Sequence, residues 1–507
     1  MNLRSLMKKE TTRRLRLVEE LYYAKDRLTS EQLMDLLQCS LPALISDIRF
    51  LNEEPLPLTI TKIKGLNSID FDVHATIDVM YAYILKTSLE FQVIESLFFE
   101  KNRGIQLAAD RLNCSFSNMQ RYLKSIKNKL AYWDINVYHR PLRVAGDEVT
   151  IRHFYYLFFK ESRMSFNEYD FSEELISSID QMVQQLLEMN QISNNINIHS
   201  QLMHSFLIGL QRIKQGHHIA KLSSDSGLII PSLDQLERLA KLIKRETNLD
   251  FNKAQLTECL WPLFTHQLIL NARQQSLANQ MDEDLSDFYE AHNLLLEQLN
   301  LKLSHQIVRT EIVEALRLLG NELFCYYPER HSIEILQQTS KNSLVLLDKK
   351  YNREIRKLKK LVADFLVDQY DAAFIDMYVS RLITTIDGLL QRLIDAEKPI
   401  KILLLSDTSS THERFWQSIF PAFIKGSVCY EYFENSFISQ NELTSLTKHY
   451  DLVITNITMD HLYFACPLIA INTYPTSKDY DRIQHFINQY EPLTSRKEQS
   501  NELTPST

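Results

Sequence analysis

The stretch Gly104-Ile-Gln-Leu-Ala-Ala-Asp-Arg-Leu-Asn-Cys-Ser-Phe-Ser-Asn-Met-Gln-Arg-Tyr-Leu-Lys-Ser-Ile-Lys-Asn-Lys-Leu130 decides how the 507-residue chain is read. A short helix, a tight turn and a longer second helix are the sequence form of a helix-turn-helix. In the second helix Phe116, Met119, Tyr122, Leu123, Ile126 and Leu130 recur at spacings of three and four, so one stripe is expected to be buried. The opposite face carries Ser117, Arg121, Lys124 and Asn128, with Gln120 at its edge and no acid. Arg, Asn and Gln can read base edges in a major groove, and Lys can meet phosphates. An ordinary amphipathic helix in water shows the same pattern, so the flanking sequence has to decide.

Downstream, Asp134–Arg140 and Leu142–Arg152 read as a β-hairpin, a wing in which His139, Arg140, Arg143 and Arg152 are placed to meet phosphates. Upstream the same order occurs once before. Arg14–Tyr23 reads as a helix. Glu31–Leu37 and a further helix capped by Ser40 follow, and residues 58–71 read as a hairpin. The spacing of the two units, roughly 75–80 residues, has the form of an internal duplication. In the first unit Leu41, Leu44, Ile45 and Ile48 are expected inside. Ala43, Ser46 and Phe50 are expected outside, with Arg49 the single base and Asp47 nearby. A carboxylate beside phosphates costs affinity, so this unit is expected to support rather than read.

The composition fits a multidomain, mainly helical protein. Hydrophobic residues make up 45% and charged residues 24%, and only 9 glycines and 13 prolines occur. The net charge of −8 is uneven: residues 1–152 carry +3, which leaves −11 for the remainder. The six cysteines are scattered, without a Cys-x-x-Cys pair, which suits reduced thiols in a cytoplasm rather than zinc or disulfides. No signal core or membrane span is legible. Phosphate-binding loops, dinucleotide fingerprints, zincin motifs and nucleophile elbows are also missing, so neither an enzyme nor a cofactor is expected.

Beyond Phe166 the chain reads as amphipathic helices as far as about residue 396, among them Glu173–Met189, Lys253–Ala272 and Asp371–Ala396, and these divide into two bundles. Pro399 then precedes the apolar run Ile400–Leu405, and further strands alternate with helices, the pattern of a small parallel α/β domain. In the first bundle His199 and His204 lie near the start of a helix that leads through Arg212 and Lys214 to His217 and His218. Imidazole is a competent phosphoryl acceptor, and neighbouring cations stabilise the product. Capping or surface histidines would give the same pattern.

With these features in order, the chain resembles the Mga-like family of virulence transcriptional regulators of Gram-positive bacteria. The most specific matching stretches are Gly146–Phe159 and His199 through Arg212 to His217. The resemblance implies two winged helix-turn-helix units, over 1–73 and, with a linker helix, 74–165. It implies two phosphotransferase regulation domains, over 166–278 and 279–397, an enzyme IIB-like domain over 398–492, and a disordered tail over 493–507. The function implied is a cytoplasmic activator of virulence or surface-protein genes that binds double-stranded promoter DNA. Its implied partners are the phosphocarrier protein of the sugar phosphotransferase system and further copies of itself, as a homodimer or larger. Ser117, Asn118, Gln120, Arg121, Lys124, Asn128, Arg140, Arg143, Ser46 and Arg49 are the expected DNA contacts. His199 leads the phosphoacceptor candidates, ahead of His204 and His217. Two departures stand out. Gln306–Leu323 has no histidine to match His199, and the loop Ser406–Thr411 has neither the cysteine nor the histidine of a true enzyme IIB. An RNA-binding antiterminator controlled by the same regulation domains is the alternative.

Overall fold

The computed structural model describes residues 2–24, 26–101, 104–193, 195–323, 333–337, 339–366, 372–432, 440–457 and 464–490. Its contacts divide the chain into two compact units: residues 1–288 with 320–338, and residues 289–319 with 339–507.

The first unit opens with α1 (Lys9–Tyr23), the short β1 (Leu28–Thr29), α2 (Ser30–Leu37) and α3 (Leu41–Glu53). Thr29 and Gln32 form a reciprocal capping box at the start of α2. Gln38 turns the chain in a left-handed conformation before α3. β2 (Leu58–Ile63) and β3 (Leu66–Phe71) pair antiparallel across Lys64-Gly65, both at positive φ, the geometry that suits a tight hairpin. β1 adds a third strand beside β3. Asn52 of α3 clamps the hairpin by donating to the Ile60 carbonyl at 2.9 Å and accepting from its N–H at 2.8 Å.

The second winged unit follows α4 (Asp78–Thr87) and repeats the plan: α5 (Leu89–Phe99), α6 (Ile105–Arg111) and α7 (Phe116–Leu130). Asn113 takes the left-handed turn position that Gln38 holds in the first unit. β4 (Asn136–His139) and β5 (Leu142–Ala145) form the wing. The wing is shorter than the sequence suggests. Asp147 accepts the Thr150 N–H at 2.8 Å and caps α8 (Glu148–Glu161), so residues 148–152 are helical rather than strand. Gly146 makes the exit possible, because a Cβ there would lie 2.6 Å from the Asp134 carbonyl oxygen. The aromatic run of α8 packs on α5, with Phe98 against Tyr155 and Phe159, and the buried Tyr155 hydroxyl donates to the Ile94 carbonyl.

The helical body of the first unit contains α9 (Glu173–Met189), α10 (Ile196–Lys214), α11 (Glu237–Thr247), α12 (Lys253–Cys259), α13 (Trp261–Phe264) and α14 (Ala272–Met281). The helix expected over Lys253–Ala272 is broken after Cys259, next to Pro262, which cannot donate an N–H inside a helix. α10 and α12 cross closely at Gly209, where a Cβ would sit 2.9 Å from the Cys259 Cα. One continuous apolar core runs from Leu3 through both winged units into this body. α15 (Glu283–Asn300) and α16 (Arg309–Leu323) carry the chain across the boundary between units.

The second unit adds α17 (Thr339–Leu366), α18 (Ala372–Thr385) and α19 (Leu389–Asp395). The last two were expected as one helix; Gly388 at φ +62 separates them. Then come β6 (Ile400–Leu405), α20 (Ser410–Phe423), β7 (Val428–Tyr432), α21 (Gln440–Thr447), β8 (Leu452–Thr455), β9 (Leu468–Ala470) and α22 (Ser477–Gln489). The four strands are parallel in the order β7-β6-β8-β9, around a core that includes Trp416, Phe420 and Ile483. The expected tail over 493–507 lies outside the described residues. No described helix is long and apolar enough to cross a membrane.

Candidate nucleic-acid interface

α7 is capped by Ser115, whose side chain accepts the Asn118 N–H at 3.2 Å. Met119, Tyr122, Leu123, Ile126 and Leu130 are buried, as their spacing predicts, whereas Phe116 at the first turn is 42% exposed. Ser117, Asn118, Gln120, Arg121, Lys124 and Asn128 are all exposed. Lys127 is exposed too, a third cation on this helix that the sequence reading left out. Its sequence contains no carboxylate. On the wing Arg140 is exposed, and the half-buried Arg143 lies 5.4 Å from the centre of the exposed Tyr138 ring. Arg152 is elsewhere: it is wholly buried, so it is no phosphate contact.

The corresponding helix of the first unit is different. Ser46 and Arg49 are exposed as expected, but Arg49 faces Glu53 at 3.8 Å. Leu41 and Ile45 point outward, at 44% and 57% exposure, against the expectation that they are inside. Asp47 is not near the face at all. It is 1% exposed and accepts from Arg13 at 2.5 Å and Arg14 at 2.9 Å. Arg14 in turn lies 3.5 Å from the centre of the Phe50 ring, which explains why Phe50 is only half-buried rather than outward.

Behind α7, Arg152 belongs to a buried charge network. Glu148 accepts a two-pronged contact from Arg212 of α10, at 2.8 and 2.9 Å, and a third bond from Arg152 at 3.0 Å. Arg152 also donates to the Glu258 carboxylate at 2.8 Å and to its backbone carbonyl at 2.9 Å. Burial pushes the Glu148 carboxyl up, but the Arg212 hydrogen bonds and the two guanidinium charges outweigh it and hold it below its ordinary value. Arg212 reaches Glu100 at 3.2 Å, and Glu100 pairs with His217 at 2.6 Å. His218 pairs with Glu258 at 2.9 Å. The wing's exit helix is thus tied to the helical body through ion pairs that no motif signals.

His199 lies in the first turn of α10, 21% exposed, with Nε2 2.6 Å from Asp180. His204 is buried, its Nδ1 3.1 Å from the Tyr169 hydroxyl, and burial drives its pKa down to about 4. In the α/β layer His412 donates from Nε2 to the Thr473 carbonyl at 2.9 Å, so its Nδ1 accepts from the Ser406 hydroxyl at 2.7 Å. The loop after β6 thereby satisfies its own polar groups.

Residues 74–159 match the family model described as the Mga helix-turn-helix domain. The whole chain is also similar to full-length regulators. It is 20% identical over 464 residues to a candidate trans-acting regulator of Streptococcus pneumoniae serotype 4, covering 90% of this chain and 93% of that one. It is 22% identical over 509 residues to the capsule synthesis positive regulator AcpB of Bacillus anthracis, covering 95% and 99%. Over nearly its whole length the chain is thus similar to Mga-like regulators. A third relative, the anthrax toxin expression trans-acting positive regulator of Bacillus anthracis, is 18% identical over 93% of this chain. The segment matched by the Mga helix-turn-helix model runs from the approach to α4 into α8. It contains α7, the second wing, Glu148 and Arg152, and it stops short of Arg212 and Glu258.

Proposed function

We propose that this chain is a transcriptional regulator that binds duplex promoter DNA through α7, with the second wing on the flanking backbone. By analogy with the positive regulators it resembles, it activates genes, of the virulence or surface-protein class. The observation that carries the reading is the exposed, carboxylate-free face of α7, where Arg121, Lys124 and Lys127 stand among Ser117, Gln120 and Asn128. Arg140 and Arg143 are the proposed wing contacts, and Ser46 and Arg49 a weaker second set. The test is a gel shift with duplex promoter DNA and with RNA at several salt concentrations. Arg121→Ala combined with Lys124→Ala should lower DNA affinity at every salt concentration while leaving the far-ultraviolet circular dichroism unchanged. Unchanged affinity at matched salt sinks the assignment, and a preference for RNA favours an antiterminator.

The further domain reading belongs to the same proposal: regulation domains over 166–278 and 279–397, and an enzyme IIB-like layer over 398–492 that assembles homodimers or larger oligomers. Control comes from the phosphocarrier protein of the sugar phosphotransferase system, acting on histidine. His199 is the proposed acceptor. It is partly exposed, and with Nε2–H held by Asp180 its Nδ1 keeps the lone pair needed for attack. His204 is sealed in the core, and His217 faces Glu100 inside the ion-pair network, which makes both poorer acceptors. Incubation with the phosphocarrier, enzyme I and phosphoenolpyruvate should label the wild type and not His199→Ala. Equal labelling removes His199.

A further inference from the structure

The second unit contains a cleft of about 1010 Å³ whose lining runs against the charge of the chain. It is bounded by α17, by the turn after α15, by the end of α19 and by the end of α22. Six cations line it: Lys302, Arg353, Arg356, Lys357, Lys360 and Lys398. Among the described residues, only two carboxylates, Asp364 and Glu397, oppose them. The described lining therefore carries +4, in a chain whose net charge is −8.

Four of the cations come from α17 at spacings of three and four, which puts like charges on one face, an unfavourable arrangement in an isolated helix. Internal partners offset this only in part. Glu397 takes Arg353 at 2.6 Å and also Lys357, and Arg356 donates to the Asn488 carbonyl at 2.8 Å near the end of α22. Among the described residues, Lys302, Lys360 and Lys398 have no carboxylate within salt-bridge reach. Burial pushes the Lys357 ammonium down, and the Arg353 charge adds to that. The floor is apolar, built from Leu299, Leu358, Leu361 and Leu393, all buried. A cationic rim over an apolar floor, in a volume of this size, is the form of a small-molecule site rather than of a duplex-binding ridge.

We propose that this cleft binds a small metabolite carrying at least two phosphate-level negative charges. The charges sit among Lys302, Lys357, Lys360 and Lys398, and the carbon body lies on the leucine floor. A ligand held there bridges α17 of the helical layer to α22 of the α/β layer. It would thus set the fit of the two layers within this unit. Ligand binding in this cleft does not require DNA.

The test is isothermal titration of the full-length protein at low salt with sodium pyrophosphate and with fructose 1,6-bisphosphate, alongside thermal unfolding. Sodium formate at matched ionic strength is the control. At least one probe should bind saturably and raise Tm, with formate silent. In Lys302→Glu combined with Lys360→Glu, affinity should fall by about tenfold or more, as expected for the loss of charge-assisted contacts to phosphate. Because both side chains are exposed, Tm without ligand should hold or rise. Should that variant fold poorly, Lys302→Gln with Lys360→Gln should give the same direction of change. Absence of saturable binding by either probe in the millimolar range overturns the proposal. So does binding that both variants leave intact. If neither probe binds and the reversals weaken duplex DNA binding instead, the cleft is a macromolecular surface and the proposal is likewise wrong.

Discussion

The two winged units share one plan and use their charges in opposite ways. Each holds a buried carboxylate clasped by two arginines. In the first, Asp47 sits on the recognition-position helix itself, and its partners Arg13 and Arg14 come from α1 of the same unit. In the second, Glu148 sits on α8 beyond the wing, and one of its arginines, Arg212, comes from α10 of the helical body. The first unit closes on itself, and its α3 presents Leu41, Ile45 and an Arg49 compensated by Glu53. The second leaves α7 free of carboxylates and wires its exit helix to the element that carries His199. A shared fold therefore leaves two different exposed faces, and what separates them is where the neutralising charge is placed.

The largest expected effect breaks the wiring. Glu148→Ala leaves Arg152 and Arg212 buried without their shared carboxylate and should cost about 3–5 kcal/mol of unfolding free energy in urea. A change below about 1 kcal/mol would mean that the network is incidental to stability. A smaller loss is expected in the first unit. Asp47→Ala frees two arginines that water already reaches in part, at a cost of about 1–3 kcal/mol, and DNA affinity should not rise. Tighter DNA binding would restore Asp47 to the DNA-facing surface and undo the comparison.

Much of this was legible in the sequence, and the failures share a cause. α9 and the buried stripe of α7 follow apolar periodicity, a local signal, and emerge within a residue or so of the expected limits. Helices over-extended through Pro262 and Gly388 failed where a single residue overrides a periodic run. Asp47 and Arg152 failed for a different reason. A charged residue reads as near the surface because what buries it includes partners far along the chain, 33 positions away for Asp47 and 106 for Arg152. His204 is the same case, a polar side chain kept neutral in the core beside Tyr169. The candidate DNA face was legible because it needs only one helix. The network behind it was not, because it needs α5, α8, α10 and α12 together.

The most direct test of the central claim compares the two helices by the salt dependence of promoter-DNA affinity. Each phosphate contact contributes a slope of about −0.9 in log K against log salt. Replacing Arg121 and Lys124 by Ala should flatten the slope by about 1–2 and lower affinity at every salt concentration, whereas Arg49→Ala should change it by less than about 0.5, well under one full phosphate contact. An equal or larger change from Arg49→Ala, with α7 variants near wild type, would contradict the account and move the reading surface to the first unit.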